Sequence, residues 1–515
     1  MSKPLLNAQP SRRNGQGVRG VKGRRKIRRP SPDAPSKPPK TFKPVPQVYT
    51  SNLVPNNDRD RGKALVGKMD GNFRFVSDLG KGGTWVHWDK DQWTHDRSEA
   101  AVQGCIDQLL EVWKSEAQWL AQQALALNDT AQTIAKAQAK IVAQYALAAR
   151  SRAAMDNMRV IAQRDSRVSV KIADFDTNPM LLGVQNGIVD LSTGEFRPAQ
   201  PDDMILKRAD VVFDSKATCP QWLEFLNQIL PDPEIVKFLQ QFFGYSLTGE
   251  VTEQVLPFLY GQGANGKSTL LSVVEEVFGD YAWKTSAQLF LSGKADNSKD
   301  NMLANLQHRR FVIGAEMSAN ARLDEAMIKD LTGGDKLMAR RLFNEAFNFR
   351  PSHKLLFYGN HQPIVHGVDE GIWRRILHIP FNVQIPPEKQ DKKLVARLLK
   401  EKPGIFNWML AGCLDWGREK KLSVPECIRA STQEYRDSED VIGEFLSDQC
   451  QKTGEVSRSE LMLRYQQWAG IQGHKYTFSP RSVADRVRRE PGVSEGRRKI
   501  NGVMVRVWIG LSLNP

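Results

Sequence analysis

A glycine-rich loop between two apolar runs constrains the fold of this chain more than any other feature. Residues 261–269 read GQGANGKST, and they lie between the apolar runs 255–260 and 270–274. This order predicts a buried strand, a tight loop and a helix, and the loop fits the phosphate-binding pattern G-x-x-x-x-G-K-[ST]. Glycines let backbone N–H groups approach phosphate oxygens, and the helix N-terminus adds partial positive charge. A chance glycine loop is the alternative, but it does not explain the flanking strand and helix.

The loop predicts ATP and Mg²⁺ as ligands. Lys267 is expected to reach the β- and γ-phosphates, and the Ser268 hydroxyl is expected to coordinate Mg²⁺. The predicted nucleotide-binding residues are Gly261, Gly263, Asn265, Gly266, Lys267, Ser268 and Thr269. Such a loop alone does not define a function, which has to come from the rest of the chain.

Length and composition predict a multidomain protein without membrane segments. A chain of 515 residues, 40% of them hydrophobic, can form about two to four domains with their own cores. No segment approaches the ~18 uninterrupted apolar residues of a membrane span, and no apolar signal core follows the basic N-terminus. Five cysteines without a C-x-x-C pair predict reduced thiols and no zinc site. We therefore expect a cytoplasmic protein.

Positive charge is concentrated at the N-terminus. Residues 1–46 hold thirteen Lys or Arg and one acid, Asp33, so this segment carries +12 of the net +15. Residues 1–60 are rich in Pro, Gly, Ser and basic residues, which predicts a disordered tail. Two interpretations stay open: an arm that binds nucleic acid or a partner, or a solvated leader without a specific role.

Composition and periodicity divide the region after this tail. Residues 61–218 combine strand-like segments with a helix-rich stretch at 98–164, which predicts an α+β domain. Strands are expected at 73–76, 84–88, 168–172, 187–191 and 209–213. Residues 219–400 alternate strands and helices, as an α/β nucleotide-binding domain does, and residues 401–438 are expected to form a helical connector.

Two features of the 61–218 region have both a functional and a structural interpretation. Trp85, Trp88 and Trp93 could stack nucleic-acid bases, but a small β-sheet core is favoured. Asp174 and Asp176 resemble the D-x-D metal pair of a polymerase or primase. Because a lone D-x-D is a weak signal, a structural role at the edge of a loop is favoured.

Residues 439–515 predict a winged helix-turn-helix domain. Three helices, at 441–450, 459–468 and 479–489, precede two short strands at 498–500 and 503–509, and Asn-Gly between the strands is a hairpin signal. Basic residues cluster around the third helix and the hairpin: Arg481, Arg486, Arg488, Arg489, Arg497, Arg498 and Lys499. A DNA-facing surface, with Arg486 and Arg489 as predicted contacts, is favoured over a merely solvated face.

Two strands after the loop end in polar residues that suit ATP hydrolysis. The apolar strand 311–315 leads to Glu316, which is expected to polarise the attacking water and to contact Mg²⁺. Many related ATPases have two adjacent acids here, whereas Ala315 precedes Glu316 in this chain. Either one carboxylate serves both roles, or water replaces the missing ligand. The strand 354–359 leads to Asn360, whose amide is expected to sense the γ-phosphate or the attacking water.

Arg374 and Arg375 are candidates for an arginine finger. In ring ATPases an arginine of the neighbouring subunit reaches the γ-phosphate, and it can raise the rate by several orders of magnitude. Arg375 is the first choice and Arg374 the second. Two surface arginines are the alternative interpretation.

Residues 336–349 predict a β-hairpin that turns at 343–346. Its basic tip suits the central channel of a ring, where the backbone of single-stranded DNA would run. The predicted DNA-binding residues are Lys336, Arg340, Arg341 and Asn344.

This ordered set of motifs resembles a superfamily 3 helicase: the phosphate loop, the acid strand, K-x-L-T-G-G-D at 329–335, Asn360 and W-R-R at 373–375. It is similar in particular to the phage and plasmid primase–helicase family, which is related to poxvirus primase–helicases. Upstream segments are similar to the pre-helicase domain of that family: FDTNP at 175–179, NGIVDLSTG at 186–194, CPQW at 219–222 and FGYSLTG at 243–249. The resemblance covers residues 60–510.

The resemblance implies an α/β fold with an AAA+-like superfamily 3 helicase core, an α+β pre-helicase domain and a C-terminal winged-helix domain. It implies a homo-hexameric ring that uses ATP to move on single-stranded DNA and to unwind 3′→5′. It assigns Lys267 and Ser268 to phosphate and Mg²⁺, Glu316 to water activation, Asn360 to sensing and Arg375 to the finger that acts in trans. Larger members carry a primase domain ahead of this region, and neither a zinc-binding cysteine set nor a primase-like acidic site is visible here. We therefore expect helicase without primase activity, with a separate primase or other replication proteins as candidate partners.

Two functional hypotheses stay open. The first is a replicative or initiating helicase of a phage, satellite or plasmid, which acts on single-stranded and forked DNA in the cytoplasm of a bacterial host. The second is an origin-binding initiator that uses ATP only to assemble, without processive unwinding. Glu316 and Arg375 favour hydrolysis, because an assembling protein needs neither. A packaging motor or a small-molecule kinase does not explain the segment between the acid strand and the arginine pair.

Overall fold

The computed structural model of the protein describes residues 53–293, 297–318, 321–342, 345–365, 370–473, 478–500 and 502–515. The basic tail at 1–46 lies outside the described residues, as do Asn344 in the predicted hairpin turn and Asn501 in the predicted C-terminal turn.

Helices pack on a small sheet in the first described region. Its elements are, in chain order, α1 (Asp58–Met69), β1 (Phe73–Val76), β2 (Thr84–Asp89), β3 (Gln92–His95), α2 (Ala100–Leu125), α3 (Asp129–Ala149), α4 (Arg152–Gln163) and β4 (Ser169–Val170). The strand order is β3-β2-β1-β4, and only the pair β1–β4 is parallel. Trp85 and Trp93 are buried, which confirms the core interpretation for these two side chains. Helix α1 begins at Asp58, earlier than the expected domain start at 61.

The D-x-D pair has a structural role, as expected. The carboxylate of Asp174 accepts from the backbone N–H of Lys171 at 2.7 Å. Asp176 accepts from the N–H groups of Leu206 and Lys207, each at 3.3 Å. Both aspartates therefore hold loops of their own region in place.

A second small sheet follows, in which β5 (Leu181–Val184), β6 (Gly187–Asp190) and β7 (Phe196–Arg197) pair antiparallel in chain order. The expected strand at 209–213 is wrong. Ala209 donates its N–H to the Gly183 carbonyl at 2.9 Å, and the Val211 carbonyl accepts from the Gln185 N–H at 2.9 Å, but no ladder continues. The apolar pattern arises instead because Ala209 and Val211 are buried in the large core of the following region.

A five-stranded parallel sheet forms the centre of the region that carries the glycine-rich loop. The elements here are, in chain order, α5 (Pro220–Ile229), α6 (Pro233–Leu247), β8 (Leu256–Tyr260), α7 (Lys267–Phe278), β9 (Ala282–Thr285), α8 (Asn297–Ala304), β10 (Phe311–Gly314), α9 (Glu325–Thr332), β11 (Leu337–Arg340), β12 (Ala346–Phe349), β13 (Lys354–Gly359), α10 (Glu370–Trp373), β14 (Ile376–Pro380), α11 (Leu394–Leu398), α12 (Lys402–Glu419) and α13 (Glu426–Ser438). The strand order is β14-β8-β13-β10-β9, and all four pairings are parallel. The predicted α/β class is thus confirmed, whereas the AAA+-like assignment stays a prediction.

Both faces of this sheet are covered, which explains why its strands are continuous apolar runs. Along β10, Phe311 and Ile313 lie in one buried cluster and Val312 lies in another. The first cluster also contains Leu182 and Val189 of β5 and β6. The apolar core is therefore shared across residue 218, and the expected domain boundary there stays a prediction.

The C-terminal region buries a core of its own, which includes Phe445, Tyr465 and Trp508. Its elements are α14 (Val441–Gln449), β15 (Cys450–Gln451), β16 (Glu455–Ser457), α15 (Arg458–Ile471), α16 (Pro480–Val487), β17 (Ser494–Ile500), β18 (Val503–Ile509) and β19 (Ser512–Leu513). The three expected helices and the expected pair of strands are present, and β16 adds a strand that was not predicted, giving the sheet β16-β18-β17. The winged-helix assignment stays a prediction.

No helix in the described parts of the chain is both long and apolar enough to cross a bilayer. All five cysteines are free thiols in the structure.

Candidate nucleotide site and nucleic-acid surface

The glycine-rich loop joins the end of β8 to the start of α7, as predicted. Gly266 has a φ of 83°, in the left-handed region that glycine adopts without strain. A Cβ atom at Gly261 would lie 2.4 Å from Asn265 Nδ2 and 2.4 Å from the Phe381 carbonyl oxygen, so only glycine fits there. Asn265 Nδ2 also donates to that carbonyl at 3.3 Å. The chain that follows β14 therefore holds the loop in place.

Lys267 opens α7 with a buried side chain. Its Nζ donates to the Gly261 carbonyl at 2.5 Å, to Asn265 Oδ1 at 3.0 Å and to Asn360 Oδ1 at 3.3 Å. Burial lowers the pKa of Lys267, and the nearby Glu316 carboxylate acts in the opposite direction. An anion in the loop would likewise favour the charged ammonium.

Glu316 and Asn360 meet beside this lysine. The strands β8, β13 and β10 are parallel neighbours, so the residues that follow their carboxyl ends lie at one edge of the sheet. Asn360 Nδ2 donates to Glu316 Oε1 at 2.8 Å, and Asn360 Oδ1 accepts from Lys267. A single amide thus connects the carboxylate to the ammonium. The structure brings together Lys267, predicted to bind phosphate, and the two residues predicted for catalysis within one chain, Glu316 and Asn360.

The remaining loop residues fit a triphosphate with a divalent cation. Ser268 is exposed and Thr269 is half-buried in the first turn of α7. A Cβ atom at Gly263 would meet no atom within 4 Å, so the outer side of the loop is open. The hydroxyl of Ser268 and the carboxylate of Glu316 are oxygen ligands of the kind that Mg²⁺ prefers. The donor set agrees with the predicted ligands, whose identity stays a prediction.

Arg374 and Arg375 lie at the edge of the sheet opposite to the loop. They follow α10 and precede β14, whose first residue, Ile376, pairs with Leu256 at the start of β8. A strand rises about 3.3 Å per residue, so the length of β8 separates the two arginines from their own phosphate loop by about 20 Å. A role for either arginine at a γ-phosphate therefore requires a second chain.

The two arginines differ in exposure: Arg374 is exposed, whereas Arg375 is only 7% exposed. The guanidinium of Arg375 donates from Nε to Thr332 Oγ1 at 3.0 Å, from Nη1 to the Gly371 carbonyl at 2.5 Å and from Nη2 to Gln254 Oε1 at 3.2 Å. It cannot extend toward a neighbour without breaking these bonds. The burial of Arg375 removes the reason to prefer it as the finger, and Arg374 becomes the better candidate.

The predicted hairpin is present, since β11 and β12 pair antiparallel from Leu337↔Phe349 to Arg340↔Ala346. Asn344, a predicted DNA contact, lies outside the described residues. Strand alternation buries Leu337 and Ala339 and leaves Arg340 exposed. The hairpin therefore has one buried and one exposed face.

The exposed face of the hairpin mixes cations with apolar side chains. Lys336, Arg340 and Arg350 are exposed there, and Met338 and Leu342 are 70% and 65% exposed. Arg341, which follows Arg340 in sequence, has a different environment. Its Nη2 donates to Gln307 Oε1 at 3.1 Å, and its guanidinium lies 5.6 Å from the ring centroid of Phe347. This placement argues against the predicted role of Arg341 as a DNA contact and favours Lys336 and Arg340.

The two predicted DNA contacts of the C-terminal region, Arg486 and Arg489, also differ in their surroundings. Arg486 of α16 donates from Nε to Asp440 and from Nη1 to Glu490, both at 2.7 Å. Asp440 also caps α14 by accepting from the N–H of Gly443 at 2.9 Å. Arg486 therefore ties α16 to the start of α14, which argues against it as a DNA contact. Arg489 is exposed.

Comparison with known families places these elements in context. Residues 63–231 match the family model described as "D5 N terminal like", and residues 259–375 match the model described as "Family of unknown function (DUF5906)". The second match runs from the end of β8 to Arg375, so it contains the loop, Glu316, the hairpin and Asn360.

The curated relatives include viral proteins. A protein of Acanthamoeba polyphaga mimivirus named as a candidate helicase is 28% identical over 300 residues, which are 54% of this chain and 31% of that protein. A protein of African swine fever virus named as a candidate primase is 24% identical over 326 residues, which are 58% of this chain and 34% of that protein. These matches relate the chain to phage and viral primase–helicases over the matched regions. The chain spans about a third of the length of these two curated relatives.

Among solved structures, the apo structure of the NrS-1 C-terminal region aligns with this protein over 89% of this chain and 100% of its own. The TM-score is 0.46 and the sequence identity is 12%. A likeness of this size supports no transfer of function.

Two partners of Arg375 were missed from the sequence. Gln254 precedes β8 in a segment without a motif, and no pattern indicates its role. Thr332 belongs to the K-x-L-T-G-G-D motif, and that motif is the one signal that could have identified it.

Proposed function

We propose that the protein is an ATP-hydrolysing DNA helicase that acts as a hexameric ring on single-stranded DNA in the replication of a phage, satellite or plasmid. The observation that carries the proposal is the set Lys267, Asn360 and Glu316 at one edge of the parallel sheet, together with exposed Arg374 at the opposite edge. A complete site then needs two copies of the chain, as in a ring. The viral relatives named as helicases support this function, and 3′→5′ polarity follows from the superfamily 3 resemblance.

Each residue of the site has a defined task in this proposal. The loop and Lys267 bind the triphosphate, and Asn360 orients the attacking water through its amide. The water oxygen bonds to the γ-phosphorus, the bond to the β–γ bridging oxygen breaks, ADP leaves and Glu316 accepts the water proton. Bound Mg²⁺ would neutralise phosphate charge, with Ser268 and Glu316 as its candidate ligands. Arg374 of a neighbouring chain stabilises the charge that develops on the transferred group.

The hairpin is the proposed contact to single-stranded DNA. Lys336, Arg340 and Arg350 attract the phosphate backbone, while Met338 and Leu342 offer apolar surface to the bases. The C-terminal region, proposed as a winged helix, adds a second basic surface with the exposed residues Arg489, Arg497 and Lys499.

An origin-binding initiator without processive unwinding is the second candidate. The exposed basic residues of α16, β17 and their surroundings favour it, because duplex binding by this region would serve an initiator as well as a helicase. The two functions differ in whether DNA stimulates turnover and whether forks are unwound.

The test measures ATP turnover with and without single-stranded DNA, together with unwinding of a forked duplex. Glu316→Gln is expected to lower turnover by about 100-fold or more, because it removes the proton acceptor and keeps the shape of the side chain. Glu195→Gln is a matched control, since Glu195 is exposed and precedes α5, far in sequence from every site residue. Unchanged turnover in Glu316→Gln would refute the catalytic assignment. Wild-type turnover that single strands do not stimulate, without fork unwinding, would favour the initiator.

A further inference from the structure

A buried arginine joins three parts of the ATPase region. Arg375 donates to Thr332, Gly371 and Gln254. Thr332 is the last residue of α9, and only four residues separate it from the first strand of the hairpin. Gly371 lies in α10, which is followed directly by Arg374. Gln254 directly precedes the segment that enters β8 and the phosphate loop.

The hydroxyl of Thr332 is oriented to accept from this arginine. Its proton is donated to the Ile328 carbonyl at 2.6 Å, which leaves the lone pairs for Arg375 Nε. Thr332 is 6% exposed and Arg375 is 7% exposed, so little water competes for the bond. A charge-assisted hydrogen bond with little access to water depends strongly on geometry.

Apolar side chains also join α9 to α10. Ile328 and Leu331 of α9 lie in one buried cluster with Ile372 and Trp373 of α10. Close-packed side chains transmit a displacement rather than absorb it. Helices α9 and α10 are therefore joined by a polar link and an apolar contact.

The geometry points to Arg375 and Thr332 as positioning residues. They couple helix α10, which directly precedes the proposed finger Arg374, to the β11–β12 hairpin, the proposed DNA contact. This inference rests on the proposed function, in which Arg374 contacts a neighbour's nucleotide and the hairpin contacts DNA. A change at the neighbour's γ-phosphate moves Arg374 and α10, and Arg375 carries that movement to the end of α9 and the root of the hairpin. Because coupling of binding energies is reciprocal, DNA on the hairpin biases the position of Arg374.

Substitution of Thr332 tests the link without touching either ligand site. Thr332→Val removes the hydroxyl and keeps the shape, whereas Thr332→Ser keeps the hydroxyl. Thr432→Val is the matched control: Thr432 also donates to a helical carbonyl, that of Ile428, at 2.7 Å, but it accepts from the N–H of His378 at 2.9 Å, on β14 and away from the hairpin.

The readouts are ATP turnover without DNA, turnover at saturating single-stranded DNA, and DNA affinity. We expect Thr332→Val to keep unstimulated turnover and DNA affinity close to wild type and to lose about 5-fold or more of the DNA stimulation. Thr332→Ser and Thr432→Val are expected to retain the stimulation. This pattern separates coupling from simple destabilisation, which would lower all three readouts together.

Three results would overturn the inference. If Thr332→Val keeps wild-type DNA stimulation of turnover, the proposed coupling is refuted. If Thr332→Val and Thr432→Val lose DNA stimulation equally, the effect comes from reduced stability. If Arg375→Lys abolishes unstimulated turnover while Arg374→Ala retains it, Arg375 is the finger itself. A wild-type protein without DNA-stimulated turnover contradicts the proposed function instead, and the coupling falls with it.

Discussion

Replacement of Asp176 by Asn is expected to stabilise the protein at neutral pH. Burial raises the pKa of Asp176 from 3.8 to about 6, although Lys207 and Arg310 act in the opposite direction. The residue has a φ of 52°, a left-handed conformation that Asn tolerates better than most residues. The side-chain oxygen of Asn can still accept from the N–H groups of Leu206 and Lys207, so the loop contacts remain.

The size of the stabilisation follows from the pKa shift of Asp176. About 2 pKa units correspond to about 3 kcal/mol of cost for the ionised native state above pH 6, and partial contact of the side chain with water reduces this to roughly 1–3 kcal/mol. Between about pH 4 and 6 the native state holds a proton that the unfolded state has released, so wild-type stability falls as the pH rises through this window. Asp176→Asn removes that dependence.

Thermal melting at pH 7.5 and pH 4.5 measures the effect. The variant is expected to melt about 2 °C or more above wild type at pH 7.5, and this advantage is expected to shrink at pH 4.5. Asp174→Asn is the control, because Asp174 is exposed and the only side-chain bond described for it caps a short turn. An Asp176→Asn protein that is no more stable at pH 7.5, or whose advantage grows as the pH falls, would refute the reasoning. Loss of ATP turnover in a stably folded variant would reinstate the D-x-D pair as a functional site.

Two further predictions concern the loop and the C-terminal arginines. Gly261→Ala is expected to reduce ATP affinity by about 10-fold or more in a nucleotide-binding titration, because its Cβ atom would overlap Asn265 and Phe381. Gly263→Ala is the control, because a Cβ atom there has open space around it. Equal ATP affinities of the two variants would contradict the packing argument. Arg486→Ala is expected to destabilise the C-terminal region by about 1–3 kcal/mol in denaturant unfolding, because it removes the guanidinium that pairs with both Asp440 and Glu490. Arg489→Ala is expected to lower DNA affinity with little change in stability, and the reverse pattern would show that the two roles are exchanged.

The phosphate-loop edge could be predicted from sequence because its signals are local. Each strand is an apolar run buried on both faces, and each polar residue directly follows a strand. Parallel strands place their carboxyl ends at one edge, so the order of motifs along the chain was enough to bring Lys267, Glu316 and Asn360 together.

The wrong and reversed assignments depend on partners that are distant in sequence. Arg374 and Arg375 are adjacent and chemically identical, and only Thr332 and Gln254, which lie 43 and 121 positions away, decide which one is buried. Arg486 is tied down by Asp440, 46 positions away. Residues 209–213 have a strand-like apolar pattern, but their burial comes from packing against the core of the following region.

Mixed rings provide the most direct test of a nucleotide site that is shared between two copies of the chain. Lys267→Ala subunits lack the lysine that binds the triphosphate, and Arg374→Ala subunits lack the finger. Each variant alone is therefore expected to be inactive in ATP turnover. In a randomly mixed ring about a quarter of the interfaces would combine an intact loop with an intact finger. We predict that equal mixing restores turnover well above either variant at the same total concentration. A mixture that is no more active than the average of the two variants would contradict a site completed in trans by Arg374.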